Sequence, residues 1–207
     1  MYFAASRTGC NLALGGRLRV ASQNVAKRLN SSGRQLIAKV AEHNVDIVAL
    51  QEITSAQADG WCALLAAEGY PHIVRGVGYG SKGGALLAAR LPISPTTLHT
   101  GELAGPRVAA GVVEGLPIAS VYFPTGSGLT GWSALYDDLM LHSEIRRFVL
   151  VGDFQMAVSE LEISSGTFPR WRRDPAYVAM AGRLSDGAWR APSCLFTSTQ
   201  QWRAMAQ

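Results

Sequence analysis

Three short apolar runs, each ending on polar residues, limit what this chain can fold into. RLRVASQN (17–24) closes on Asn24, VDIVALQEI (45–53) carries Gln51 and Glu52 near its end, and FVLVGDF (148–154) runs through Gly152 into Asp153. The second and third runs have continuous apolar centres, IVAL (47–50) and FVLV (148–151), as in strands covered on both faces, and such strands belong to layered α/β sheets. A strand of that kind tolerates an acid or an amide only where it emerges from the core. In open α/β sheets the strand ends are also where sites gather. The three runs therefore predict an α/β fold with a polar site where strand ends converge.

The intervening segments fit that class. SGRQLIAKVAEHN (32–44) places Leu36, Ile37, Val40 and Ala41 at helical spacing, and SAQADGWCALLAAEG (55–69) reads as a helix ending at Gly69. HIVRGV (72–77), GGALLAAR (83–90), RVAAGVVEG (107–115) and LPIASVYFPT (116–125) read as further strands. Residues 131–147 are expected to be a helix, and 174–183 a short one with Pro175 in its first turn. GYGSKG (78–83) matches GxGxxG, but the segment after it is short and closed by Pro92, so it is read as a loop and not a dinucleotide site. With no repeat or linker in the chain, residues 17–207 are expected to form one domain behind a flexible leader, 1–16.

At 48% hydrophobic and 16% charged, the chain has the means to bury a core and is not of the disordered class. Of 19 basic residues 16 are Arg, which suits forked contacts to phosphates; an Arg-rich codon bias gives the same count. Cys10, Cys62 and Cys194 are odd in number and widely spaced, against a disulfide framework and for a reducing, intracellular compartment, nucleus or cytoplasm. No apolar run approaches the ~20 residues of a membrane-spanning helix. A monomer is expected.

The strand-end residues have a chemistry of their own. Two carboxylates, Glu52 and Asp153, with the amide of Asn24, can hold a hard divalent cation through oxygen. Such a cation polarises a phosphoryl oxygen and stabilises developing charge. Each residue also has a plainer reading: Asn24 as a strand-end or cap residue, Glu52 as an acid ahead of a helix, Asp153 as a turn former and Tyr122 as a half-buried strand residue.

Several pieces together resemble the endonuclease/exonuclease/phosphatase superfamily, which includes apurinic endonucleases, deoxyribonuclease I and the endonucleases of non-LTR retrotransposons. They are ASQNVAKR for its opening strand-end Asn motif, DIVALQEI for its LQE motif, GGALLAAR for its GxAILxR strand, SVYFPTG for its YxPN-like strand and FVLVGDFQMA for its GDFN motif. RLSDGAWR (183–190) is similar to its LxDxWR segment, and the pieces occur in the family's order over about residues 17–190. The retrotransposon endonucleases are the nearest in character.

The resemblance implies a DNase I-like two-sheet α/β sandwich with the site between the sheet ends. It implies that Glu52 binds Mg²⁺ or Mn²⁺ with help from Asn24, that Asp153 orients or activates the attacking water, and that Tyr122 contacts the scissile phosphate. The family's transition-state Asn is Gln155 here, the same amide one methylene further out. The family's closing RIDYVL-like strand and SDH motif have no counterpart before Gln207, so the domain is expected to lack its last strand or strands. In FPRWRRDP (168–175), Arg170, Trp171, Arg172 and Arg173 interleave cations with an aromatic ring, as in a nucleic-acid contact or an anchored surface loop.

Three functions follow as expectations. The first is a metal-dependent phosphodiesterase cutting DNA or RNA. The second is an impaired or inactive remnant that at most binds nucleic acid. The third is a phosphatase of small or lipid phosphates.

Overall fold

The computed structural model describes residues 18–26, 29–76, 83–96, 107–122 and 149–153. The helices expected at 131–147 and 174–183 lie outside those residues, as do Gln155, the Arg170–Arg173 segment and the RLSDGAWR segment. Two sheets and two helices make up the described part. Strands β1 (Val20–Asn24), β2 (Ile47–Ile53), β3 (His72–Arg75) and β4 (Gly84–Ala89) form one sheet in the order β1-β2-β4-β3. Strands β5 (Val108–Val113), β6 (Leu116–Tyr122) and β7 (Val149–Asp153) form the other, in sequence order. Parallel pairs β1–β2 and β6–β7 stand beside antiparallel pairs β2–β4, β3–β4 and β5–β6, so both sheets are mixed. This is the α/β class that the strand-end pattern predicts, in the two-sheet arrangement that the resemblance implies.

Both helices cover the outer face of the first sheet. Helix α1 (Ser31–Glu42) starts where Asn30 Oδ1 accepts hydrogen bonds from the backbone of Ser32 (3.1 Å) and Gly33 (3.2 Å). Its buried residues Gly33, Leu36, Ile37 and Val40 follow the i, i+3, i+4, i+7 stripe. Helix α2 (Ser55–Ala67) ends in a Schellman turn. Gly69 (φ +88°) donates to Ala66 O and Tyr70 to Leu65 O. The expected helix stopped at Gly69; the glycine instead takes the left-handed position just beyond the helix.

Strand alternation then divides the core in two. On β2, Val48, Leu50 and Ile53 pack with Leu36, Ile37, Trp61 and Leu65 of the helices. Ile47 and Ala49 face the other way and meet Leu87, Ala109, Val113, Ile118 and Val151 between the sheets. Each large aliphatic side chain withdrawn there contributes about 1.5–3 kcal/mol. Among the described residues no helix is long and apolar enough to cross a membrane.

Candidate active site

The site begins with a break in the pattern of β2. Gln51 pairs with Ala85 and Ile53 with Gly84, so Glu52 is an extra residue in the ladder, a β-bulge. Its φ of +62° lies in the left-handed region, which is uncommon for a residue with a side chain. The bulge puts Ile53 back on the helix side and leaves Glu52 free of either core. The opposing chain accommodates it with Gly83 (φ +85°), where a Cβ would lie 3.1 Å from Glu52 Cα.

Asn24, at the end of β1, joins the two carboxylates. Its Nδ2 donates to Glu52 Oε1 at 2.8 Å and to Asp153 Oδ2 at 2.5 Å, while its Oδ1 accepts from Ala26 N at 2.8 Å. The partners fix the amide's orientation: turned over, it would set its oxygen against two acids and its NH₂ against an N–H donor. Asn24 thus serves the strand end through Oδ1, which accepts from Ala26 N, while its Nδ2 serves the two acids.

Asp153 arrives from the second sheet. It pairs with Tyr122 in the parallel β6–β7 register, and Gly152 pairs with Val121. Gly152 has φ +155°, and a Cβ on it would sit 1.9 Å from Val121 O, so only glycine lets β7 come this close. Tyr122 is buried, and burial pushes its phenol up to about 12, with the charges of Glu52 and Asp153 adding to the shift. The hydroxyl stays protonated at neutral pH and donates to Glu52. Tyr122 is therefore more deeply buried than the half-buried strand residue of the plainer reading.

Asn24, Glu52, Tyr122 and Asp153 thus form one cluster fed by both sheets. Gln155, Arg170, Trp171, Arg172 and Arg173 lie outside the described residues. A second row went unassigned at the sequence level. Ser22 and Ser120 stand two residues before Asn24 and Tyr122 on the same strand faces, and Gln51 immediately precedes Glu52. The available signal was a polar residue at an inward position of an otherwise apolar strand, as in VASQN and PIASVY.

The cluster offers oxygen donors and concentrated negative charge. Among the described residues no group of three or more His, Cys, Asp or Glu side chains forms a metal cage. Two carboxylates suit a hard cation that keeps water and substrate oxygens in its shell, as Mg²⁺ does.

Comparison with known proteins agrees with this geometry. A family profile described as Endonuclease/Exonuclease/phosphatase family matches residues 14–203. Among curated proteins none matches the chain. An AP endonuclease from Archaeoglobus fulgidus superposes with a TM-score of 0.66 at 19% identity, over 81% of this chain and 71% of that one. The 3'-5' exonuclease NExo from Neisseria meningitidis gives a TM-score of 0.57 at 25% identity, over 69% of this chain and 60% of its own. The endonuclease domain of TRAS1, a telomere-specific non-LTR retrotransposon, gives 0.55 at 14% identity, over 81% and 69%. The archaeal and retrotransposon likenesses are likenesses of fold. The DNase I-like two-sheet fold and the profile match over nearly the whole sequence lead to one conclusion: the chain belongs to the Endonuclease/Exonuclease/phosphatase family of phosphoester hydrolases.

Proposed function

We propose that the protein is a divalent-cation-dependent phosphodiesterase that cuts nucleic acid, acting as an endonuclease and as a monomer in a reducing intracellular compartment. The observation that carries this reading is the single Asn24 amide bonded to both Glu52 and Asp153. It gathers two acids from different sheets in a position that a folding role alone does not require. The Neisseria 3'-5' exonuclease, at 25% identity, supports a nucleic-acid substrate.

Glu52, held by Asn24, would bind Mg²⁺ or Mn²⁺. When bound, the cation supplies charge stabilisation at the phosphoryl oxygens. The chain's own residues do the rest. Asp153 would accept a hydrogen bond from the attacking water and take up its proton as the water oxygen bonds to phosphorus; the leaving oxygen departs with the bonding pair and takes a proton from solvent. Tyr122, kept protonated, would turn its one hydroxyl hydrogen from Glu52 to a non-bridging phosphate oxygen when substrate is bound. Gln155 would aim its amide at the same phosphate, and Arg170, Arg172 and Arg173 would contact flanking phosphates with Trp171 stacking on a base.

Gln155 also favours a second reading, an impaired remnant, because a donor displaced by ~1 Å costs about a hundredfold in rate. Nicking of a supercoiled plasmid with Mg²⁺, Mn²⁺ or EDTA separates the two when wild type is run beside Glu52→Gln. Metal-dependent nicking that disappears in Glu52→Gln is the expected result. No nicking by folded wild type supports the remnant. Release of phosphate from a small monoester without nicking points to the phosphatase.

A further inference from the structure

Directly beneath the four site residues lies a second polar row with no part in the chemistry. Gln51 and Ser120 are the two polar or charged side chains counted as buried among the described residues, at 1% and 0% exposure. They bond to each other across the two sheets: Gln51 Nε2 donates to Ser120 Oγ at 3.0 Å, and Ser120 Oγ donates to Leu50 O at 3.2 Å. Gln51 Nε2 also lies 3.3 Å from Ser22 Oγ, whose hydroxyl is 3.4 Å from Gln51 Oε1.

An apolar pair would join the sheets as well. Ile47, Ala49 and Ile118, one step deeper on the same faces, already do so. Buried polar groups also cost desolvation that their hydrogen bonds only just offset. What the polar row adds is direction. Packing tolerates small slides between sheets, whereas a 3.0 Å amide–hydroxyl bond fixes one strand against the other. The fixed points are the residue before Glu52 and the residues two before Asn24 and Tyr122 on the same strand faces.

We propose that Gln51, through Ser120 and Ser22, is a positioning residue: the clasp sets the bulge at Glu52 against β1 and β6, and so sets how the cluster receives a divalent cation and a phosphate. The inference rests on the phosphodiesterase reading for its catalytic consequence, but not for its consequence for cation binding.

The test compares Gln51→Leu and Ser120→Ala with Ile118→Val, which removes apolar packing from the same inter-sheet layer and leaves the clasp intact. The readouts are melting temperature, Mn²⁺ affinity by calorimetry without substrate, and kcat and KM on a nicked-plasmid assay. The clasp variants are expected to weaken Mn²⁺ binding about fivefold or more and to lower kcat about tenfold or more, with KM within about twofold. Ile118→Val should change neither by more than about twofold at a comparable loss of melting temperature. If Gln51→Leu does not fold, Ser120→Ala, which removes one oxygen, decides the matter alone. Clasp variants that match Ile118→Val in Mn²⁺ affinity and kcat overturn the proposal. If wild type binds Mn²⁺ but cleaves no phosphoester, the phosphodiesterase reading fails and the Mn²⁺ affinities still decide the clasp. If wild type binds no Mn²⁺, both fall.

Discussion

Asn24 and Asp153 lie 129 residues apart and on different sheets, yet Asn24 Nδ2 meets Asp153 Oδ2 at 2.5 Å. The bond sits across the end of the inter-sheet core, and the second hydrogen of the same amide serves Glu52. Replacing the amide by a third carboxylate turns two attractions into repulsions. Asn24→Asp should therefore lower the melting temperature more than Asn24→Ala at pH 8. Equal melting temperatures at pH 8 would mean that the amide does not hold the two acids together.

Gly152 has no room for a side chain. Its Cβ would lie 1.9 Å from Val121 O, and φ there is +155°. Gly152→Ala has to open the β6–β7 pair that carries Asp153. We expect a loss of about 3 kcal/mol or more in urea unfolding, with activity falling further than stability does. A fully stable Gly152→Ala would contradict this strand register.

Gly83 is a milder case. A Cβ there approaches Glu52 Cα to 3.1 Å with φ at +85°. Gly83→Ala should cost about 1–2 kcal/mol, through the left-handed backbone and the push against the bulge. Because the push falls on Glu52, Mn²⁺ affinity should drop with it, as calorimetry would show.

Two phenols predict the alkaline limit of the metal-free protein. Burial pushes Tyr122 up to about 12 and raises Tyr70, whose ring lies under Arg90 at 4.8 Å. In the unfolded chain both return to about 10. Between these values the folded state holds protons that the unfolded state has lost, so stability falls as pH rises. The contribution is complete below about pH 10 and disappears as pH passes the folded values. Absorbance titration at about 295 nm should show a late-titrating tyrosine that Tyr122→Phe removes.

A cation that binds only the folded state should also stabilise it. At a hundred times its dissociation constant, Mn²⁺ should add about 2.7 kcal/mol to unfolding, and Glu52→Gln should abolish that gain. Stabilisation by Mn²⁺ that persists in Glu52→Gln would place the cation elsewhere.

The strands were legible because their apolar runs are continuous and glycine or proline marks their ends, and helix α1 because Leu36, Ile37 and Val40 repeat at helical spacing. Asn24, Glu52, Tyr122 and Asp153 were legible as polar residues at strand ends, although which atoms they share was not. The bulge was hidden, since nothing in LQEI shows that Glu52 rather than Gln51 leaves the ladder; that depends on Gly83 and Gly84, some thirty residues later. The Gln51–Ser120 clasp was hidden for a similar reason. Ser120 gains meaning only when a second sheet is laid on the first, and the distance between the sheets is not written in either strand.

The division of the core into two layers has a consequence for how this protein fails. Residues from β1 to β4 are contiguous in the chain and carry both helices and the whole helix-side core, together with Asn24 and Glu52. Tyr122 and Asp153 arrive only with the second sheet. A partly unfolded chain whose sheets have parted would keep its helices, and with them much of its circular dichroism, while its two acids stood too far apart to share an amide. Chemical function would then vanish before secondary structure does, so the protein would report the docking of its two halves rather than the folding of either one.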